Sequence, residues 1–68
     1  MRWVIVNSET EDVFERFAKD GTPCWSERDD KAKWFKEWRE TSVFVALLQK
    51  AGYDCYPVTL DTLIGKRK

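Results

Sequence analysis

Aromatic and basic side chains alternate between residues 31 and 39, and this stretch has the strongest recognition chemistry in the chain. Trp34, Phe35 and Trp38 have the spacing of one helix face. The basic residues interleaved with them are Lys31, Lys33, Lys36 and Arg39. Rigid aromatics and arginine are typical anchors of protein interfaces, and aromatics with basic neighbours also stack on nucleic-acid bases. The same pattern describes a helix that packs on a sheet, so core and surface remain open for Trp34 and Trp38.

We therefore predict a partner-binding surface on this helix. Its residues are Trp34, Phe35, Trp38, Arg39 and Lys31. The alternative partner is a nucleic acid, bound through further basic residues of the helix and of the C-terminus. Those residues are Lys33, Lys36, Lys66, Arg67 and Lys68. Acidic residues on the same helix offset its charge, which favours a protein partner over a nucleic acid.

Two serines are placed to begin helices and mark a weaker candidate, an anion site. Ser8 and Ser26 each precede an acidic first turn, and Arg28 follows Ser26 closely. If both helices began at one edge of a parallel sheet, their free amides and Arg28 would hold a small anion. The same serines serve as ordinary helix caps in the simpler interpretation.

Missing residue types exclude much enzymology. The chain has no histidine, which removes imidazole bases and histidine-ligated zinc. Cys24 and Cys55 form no C-x-x-C motif, and we expect both to be reduced thiols. Asp29, Asp30 and Asp61 are the available ligands for Mg²⁺, but adjacent aspartates on a helix diverge by about 100°. We predict a protein that is not an enzyme and has no metal and no cofactor.

Length and composition indicate one small domain. The 68 residues are 43% hydrophobic and 15% aromatic, and 12 basic residues balance 12 acidic ones. Such a chain is too apolar for a disordered tail, and no apolar run is long enough to span a membrane. We expect a compact domain over residues 1–64, a flexible basic tail over residues 65–68, and a cytoplasmic location.

The elements that would position these residues alternate between strand and helix. Residues 3–6 are apolar on both faces, which predicts a central strand. Helical spacing follows over residues 8–20, and a short strand is expected over residues 22–25. Residues 26–51 have continuous helical character up to a glycine, although the apolar stripe shifts between its halves, so the helix either breaks near residues 41–42 or is buried nearly all round in its C-terminal half. Residues 53–60 are predicted as a last strand. This order predicts an α/β fold, βαβαβ, with a three-stranded, mostly parallel sheet and the first strand central.

One segment leaves an alternative fold open. Residues 42–48 include Val-Phe-Val, which favours a strand, although the sequence up to Gly52 favours a helix with a glycine cap. If they form a strand, the fold is α+β, with two helices and a C-terminal hairpin.

The sequence therefore predicts a small non-enzymatic protein-interaction module. We expect an adaptor or inhibitor of the kind that phages and other small mobile elements encode. A small core without disulfides or metals also predicts a homodimer, with Trp34 and Trp38 at a two-fold contact.

Overall fold

The first strand, β1 (Trp3–Asn7), is apolar on both faces and lies in the interior of the sheet. The computed structural model describes residues 1–67, and within that range the chain forms four strands and two α-helices. The elements after β1 are β2 (Val13–Phe17), β3 (Pro23–Ser26), α1 (Trp38–Lys50), β4 (Cys55–Thr59) and α2 (Leu60–Arg67). The strand order is β3-β2-β1-β4, and every neighbouring pair is antiparallel.

The predicted parallel sheet is wrong, and the fold is α+β. Residues 8–12 and 18–22 join β1, β2 and β3 directly, and such short connections permit only antiparallel hairpins, because a parallel pair needs a crossover of about a dozen residues or more. The interior position of the first strand is confirmed, and both prolines lie in edge strands as expected. The C-terminal hairpin of the alternative fold is wrong, because residues 42–48 lie inside α1.

A β-bulge explains why residues 8–20 resemble a helix in sequence. Val13 and Phe14 are both fully buried, since successive strand residues point to opposite faces and both faces are covered. Between Phe14 and Arg16 the pairing with β3 shifts by one residue. The extra residue returns Phe17 to the side of Phe14, with the two ring centroids 5.1 Å apart. The resulting three-residue spacing imitates one helix face, and the predicted helix is wrong.

The turn between β1 and β2 is closed by Asn7 rather than by a helix cap at Ser8. The Asn7 Oδ1 accepts hydrogen bonds from the backbone N–H groups of Glu9 at 2.9 Å and Thr10 at 3.2 Å. The turn also places Glu11 in the left-handed region, at φ 65°. Asparagine commonly closes turns in this way, because its short side chain competes well for nearby amides.

Each face of the sheet is covered by one helix. On one face, Ile5 packs in a cluster with Val45 and Leu48 of α1. On the other face, Val4 packs in a cluster with Leu63 of α2. Full burial of one aliphatic side chain stabilises the folded state by about 1.5–3 kcal/mol. Both small clusters therefore contribute to the stability of the fold.

The long predicted helix is shorter than expected at its start and ends where expected. Residues 29–31 form a single 3₁₀ turn, residues 32–37 are not helical, and α1 begins at Trp38. Gly52 ends it at φ 100°, and the Tyr53 N–H donates to the Leu48 carbonyl at 3.0 Å. This is the Schellman arrangement, in which glycine takes the left-handed position after the helix.

The C-terminal residues continue the fold. Residues 65–67 of the predicted tail form the end of α2, and Lys68 lies outside the described residues. Within residues 1–67, neither helix has the length and apolar character needed to cross a membrane.

Candidate functional site

The segment before α1 completes the sheet where β2 leaves β1. β2 pairs with β1 only at Val6 and Val13, so the first half of β1 lacks a partner on that side. Phe35 fills this place: its N–H donates to the Trp3 carbonyl, and the Trp3 N–H donates to the Phe35 carbonyl, both at 2.8 Å. Buried backbone groups without hydrogen-bond partners are costly, so the need to pair the Trp3 N–H and carbonyl holds residues 33–35 extended.

Phe35 is thereby part of the core. Its side chain is 1% exposed and packs against Phe44 with ring centroids 4.8 Å apart. Trp34, by contrast, is 53% exposed, and Trp38 is 51% exposed. The prediction that these three residues share one helix face is wrong, because Trp34 and Phe35 are extended and only Trp38 belongs to α1.

Trp38 is held in place by a second tryptophan. The centroid of its ring lies 4.9 Å from the centroid of the Trp3 ring, and the two ring planes are inclined at 56°. Trp3 is half-buried and packs against the core cluster around Ile5. Tilted aromatic pairs of this kind are worth about 0.5–1.5 kcal/mol beyond the area they bury. Trp38 is therefore both exposed and fixed.

Trp34 has a different support, on the other face of the sheet. Trp3 and Phe35 are paired, so their side chains share one face, and the neighbours Arg2 and Trp34 point to the opposite face. The Arg2 guanidinium lies over the Trp34 ring, 5.0 Å from its centroid. A cation–π contact at an exposed site contributes about 0.5–1 kcal/mol. These four residues, Arg2, Trp3, Trp34 and Trp38, surround the Trp3–Phe35 bridge, with Trp3 and Trp38 on one face of the sheet and Arg2 and Trp34 on the other. We call them the tryptophan surface, which extends around this end of the sheet.

Basic side chains surround the tryptophan surface in sequence. Lys31, Lys36 and Arg39 are exposed, and none of them takes part in a salt bridge within residues 1–67. Lys33 lies over the Phe35 ring, with its Nζ 5.4 Å from the centroid. The segment therefore carries exposed positive charges close in sequence to the two exposed indole rings.

Among residues 1–67, the basic residues of the nucleic-acid alternative do not gather on one surface. Lys66 lies over the Tyr56 ring at 5.7 Å, and Arg67 pairs with Asp29 at 3.3 Å and donates to the Glu11 carbonyl. Both belong to α2, on the opposite face of the sheet from α1, and Lys68 lies outside residues 1–67. Arg67 is thus occupied by contacts within the fold.

The residues of the predicted anion site do not lie at the starts of α-helices. Ser8 follows β1, and Ser26 ends β3, where its Oγ accepts the Arg28 N–H at 3.1 Å. The Arg28 guanidinium forms two hydrogen bonds with the Asp30 carboxylate, at 3.1 and 2.8 Å. The predicted helix N-termini at Ser8 and Ser26 are wrong, so the amides that would have held the anion are not presented there.

The aspartates considered for Mg²⁺ are dispersed. Asp29 is paired with Arg67, Asp30 with Arg28, and Asp61 lies in the first turn of α2. Among residues 1–67, no group of three or more candidate metal ligands converges.

Two features of the structure were not evident from the sequence. The sequence pattern places Trp3 in a strand and gives Arg2 no role, although tryptophan and arginine are typical recognition residues. A cleft of about 250 Å³ also lies between β2 and α1. Its lining residues are Phe14, Glu15, Arg16, Phe17, Lys33 and Phe44. The cleft depends on the bulge in β2, which the sequence pattern does not reveal.

The thiols differ in their surroundings. Cys24 is half-buried in edge strand β3, whereas Cys55 is 2% exposed in β4. Burial, and to a lesser degree the charge of Asp54, raise the pKa of the Cys55 thiol. A raised pKa disfavours the thiolate, so Cys55 is a poor nucleophile.

Comparisons with protein-family models, curated proteins and solved structures return no significant match.

Proposed function

We propose that this chain is a non-enzymatic interaction module that binds an acidic protein surface through the tryptophan surface. The observation that carries the proposal is that Trp34 and Trp38 remain about half exposed while each is held by a neighbouring side chain. A tryptophan buries on the order of 200 Å² when fully covered, and a side chain already fixed loses little entropy on binding.

Charge supports an acidic partner. The region contributes five basic side chains against three acidic ones. The basic residues are Arg2, Lys31, Lys33, Lys36 and Arg39, and the acidic ones are Glu37, Glu40 and Asp61, which lines one pocket with Arg2. Complementary charge mainly increases the association rate and selects among partners. The tryptophans would supply affinity, and the basic rim would supply selectivity.

The test compares matched variants in affinity capture. Wild type, Trp38→Ala, Trp34→Ala and Ile64→Ala are immobilised and exposed to nuclease-treated extract of the native cell. Ile64 is the control because it is 44% exposed, lies on α2 and takes part in neither of the contacts that hold Trp34 and Trp38. A recovered protein is then purified, and its affinity for each variant is measured at two salt concentrations.

We expect wild type and Ile64→Ala to bind the same acidic protein. Trp38→Ala should bind it roughly thirtyfold more weakly, as expected when an interface anchor is lost. Equal recovery by the wild type and all three variants would refute the proposal. If the chain instead binds a single-stranded oligonucleotide with an affinity that falls steeply as salt rises, the partner is a nucleic acid and not a protein.

A further inference from the structure

Helix α1 has a second apolar stripe on the side that faces away from the sheet. Val43 is 58% exposed and Leu47 is 52% exposed, whereas Thr41, Val45 and Leu48 form the buried side. Glu40 and Lys50 extend the stripe at its two ends, and both are exposed. The intervals of three, four and three residues place all four side chains within an arc of about 80°. We call Glu40, Val43, Leu47 and Lys50 the outer stripe.

We infer that the outer stripe is the contact between two copies of this chain, with their α1 helices antiparallel about a two-fold axis that crosses the stripe at the level of Val45 along the helix. Val43 and Leu47 lie at equal distances on either side of Val45, and so do Glu40 and Lys50. The two-fold axis therefore places Val43 of one copy against Leu47 of the other. Intervals of three and four residues are also those of a helix–helix seam.

Charge fixes the direction of this pairing. In the antiparallel arrangement, Glu40 of each copy faces Lys50 of the other, which gives two opposite-charge pairs. A parallel arrangement would place like charges together at both ends of the stripe, which is unfavourable. Neither residue forms a salt bridge within the described chain, so both are available.

The contact is separate from the tryptophan surface. Trp38 lies about 160° around α1 from the centre of the outer stripe. A dimer formed through the stripe would leave both tryptophan surfaces free, unlike the dimer predicted through Trp34 and Trp38. The proposal therefore does not depend on the proposed function.

The size of the stripe predicts weak association. It spans ten residue steps, or about 15 Å of helix. A standard interface buries about 800 Å² on each partner, which is roughly a sixth of the 4841 Å² surface of this chain. The apolar surface continues toward Phe17, which is 40% exposed and stacks on Phe44 at 6.1 Å. We expect dimers at concentrations of tens of micromolar or more, and monomers below.

The experiment is sedimentation equilibrium with a charge exchange. Glu40→Lys and Lys50→Glu each turn both ion pairs into like-charge contacts, so each variant alone should dimerise roughly tenfold more weakly. A mixture of the two variants restores both pairs and should form heterodimers about as well as the wild type. Leu47→Ala should also weaken the dimer about tenfold. Ser42→Glu is the control, because it adds a charge to an exposed α1 position outside the stripe.

The outcomes separate the arrangements. Restored association in the mixture, with little change for Ser42→Glu, supports the antiparallel contact. A wild-type chain that remains monomeric up to millimolar concentration overturns the proposal. Dimers that respond to neither charge reversal nor Leu47→Ala also overturn it, because another surface must then form the contact. Circular dichroism of each variant confirms that the fold is retained.

Discussion

Replacement of Phe35 by alanine provides the sharpest test of how the segment before α1 is placed. The Phe35 side chain is 1% exposed, and its ring contacts Phe44 at 4.8 Å. Loss of a buried phenylalanine typically costs about 3–5 kcal/mol. For 68 residues, a total stability of about 3–10 kcal/mol is expected from the usual range per residue. Phe35→Ala should therefore remove a third or more of the free energy of unfolding.

The matched substitution is at the adjacent residue. Trp34→Ala removes a larger side chain, but that side chain is 53% exposed and its described support is the Arg2 contact. The expected cost is about 0.5–1 kcal/mol. Urea unfolding, followed by circular dichroism, measures both values through the midpoint and slope. Phe35→Leu keeps part of the apolar volume and gives a measurable loss if Phe35→Ala fails to fold.

The result that would refute this reasoning is an equal loss for both substitutions. Equal losses would mean that Trp34 and Phe35 are similarly buried, as two neighbours on the sheet-facing side of one helix could be. A cost below about 1 kcal/mol for Phe35→Ala would contradict its place in the core, because buried large-to-small changes rarely cost so little.

Two further predictions concern ionisable groups. An alkylating reagent should modify Cys24 at neutral pH before Cys55, because burial raises the pKa of the Cys55 thiol; mass spectrometry of the labelled peptides measures both rates. The Asp20 carboxylate accepts hydrogen bonds from Thr22, chiefly from the Thr22 backbone N–H at 3.0 Å, and these hold the pKa of the Asp20 carboxyl below its ordinary value of 3.8. Asp20→Asn should therefore lower the free energy of unfolding at neutral pH. Because the folded-state pKa is lower, the ionised carboxylate stabilises the fold above pH 3.8, and this stabilisation is lost as the pH falls through the folded-state pKa. The urea midpoints of the wild type and Asp20→Asn should therefore converge in acid.

Each of these has a contrary outcome and a control. Cys24→Ser leaves Cys55 as the only thiol, and rapid labelling of that variant without denaturant would contradict the burial of Cys55. For Asp20→Asn, a difference in urea midpoint from the wild type that stays constant between neutral pH and pH 2 would show that the effect does not come from the carboxylate charge.

The sequence predicted well those features that depend on neighbouring residues. Apolar side chains on both faces of residues 3–6 require cover on both sides, so the interior strand is readable from the pattern alone. Gly52 ends α1 because a left-handed residue is needed there, and the prolines mark the edge strands because proline donates no hydrogen bond. The sequence did not decide whether Trp34 and Trp38 are buried or exposed, and the structure shows both about half exposed.

Tertiary structure alone decided the direction of the strands and the course of residues 13–37. Phe14 and Phe17 share one side because of a bulge in the pairing with β3, and no local pattern distinguishes that spacing from a helix face. Phe35 is extended because the start of β1 has no other partner there, so a requirement at Trp3 sets a conformation more than thirty residues away. Local propensity differs between helix and strand by only about 1 kcal/mol per residue at most, and paired backbone bonds and core burial outweigh it. For that reason the aromatic pattern contains the binding candidates, while the sheet determines which of them reach the surface.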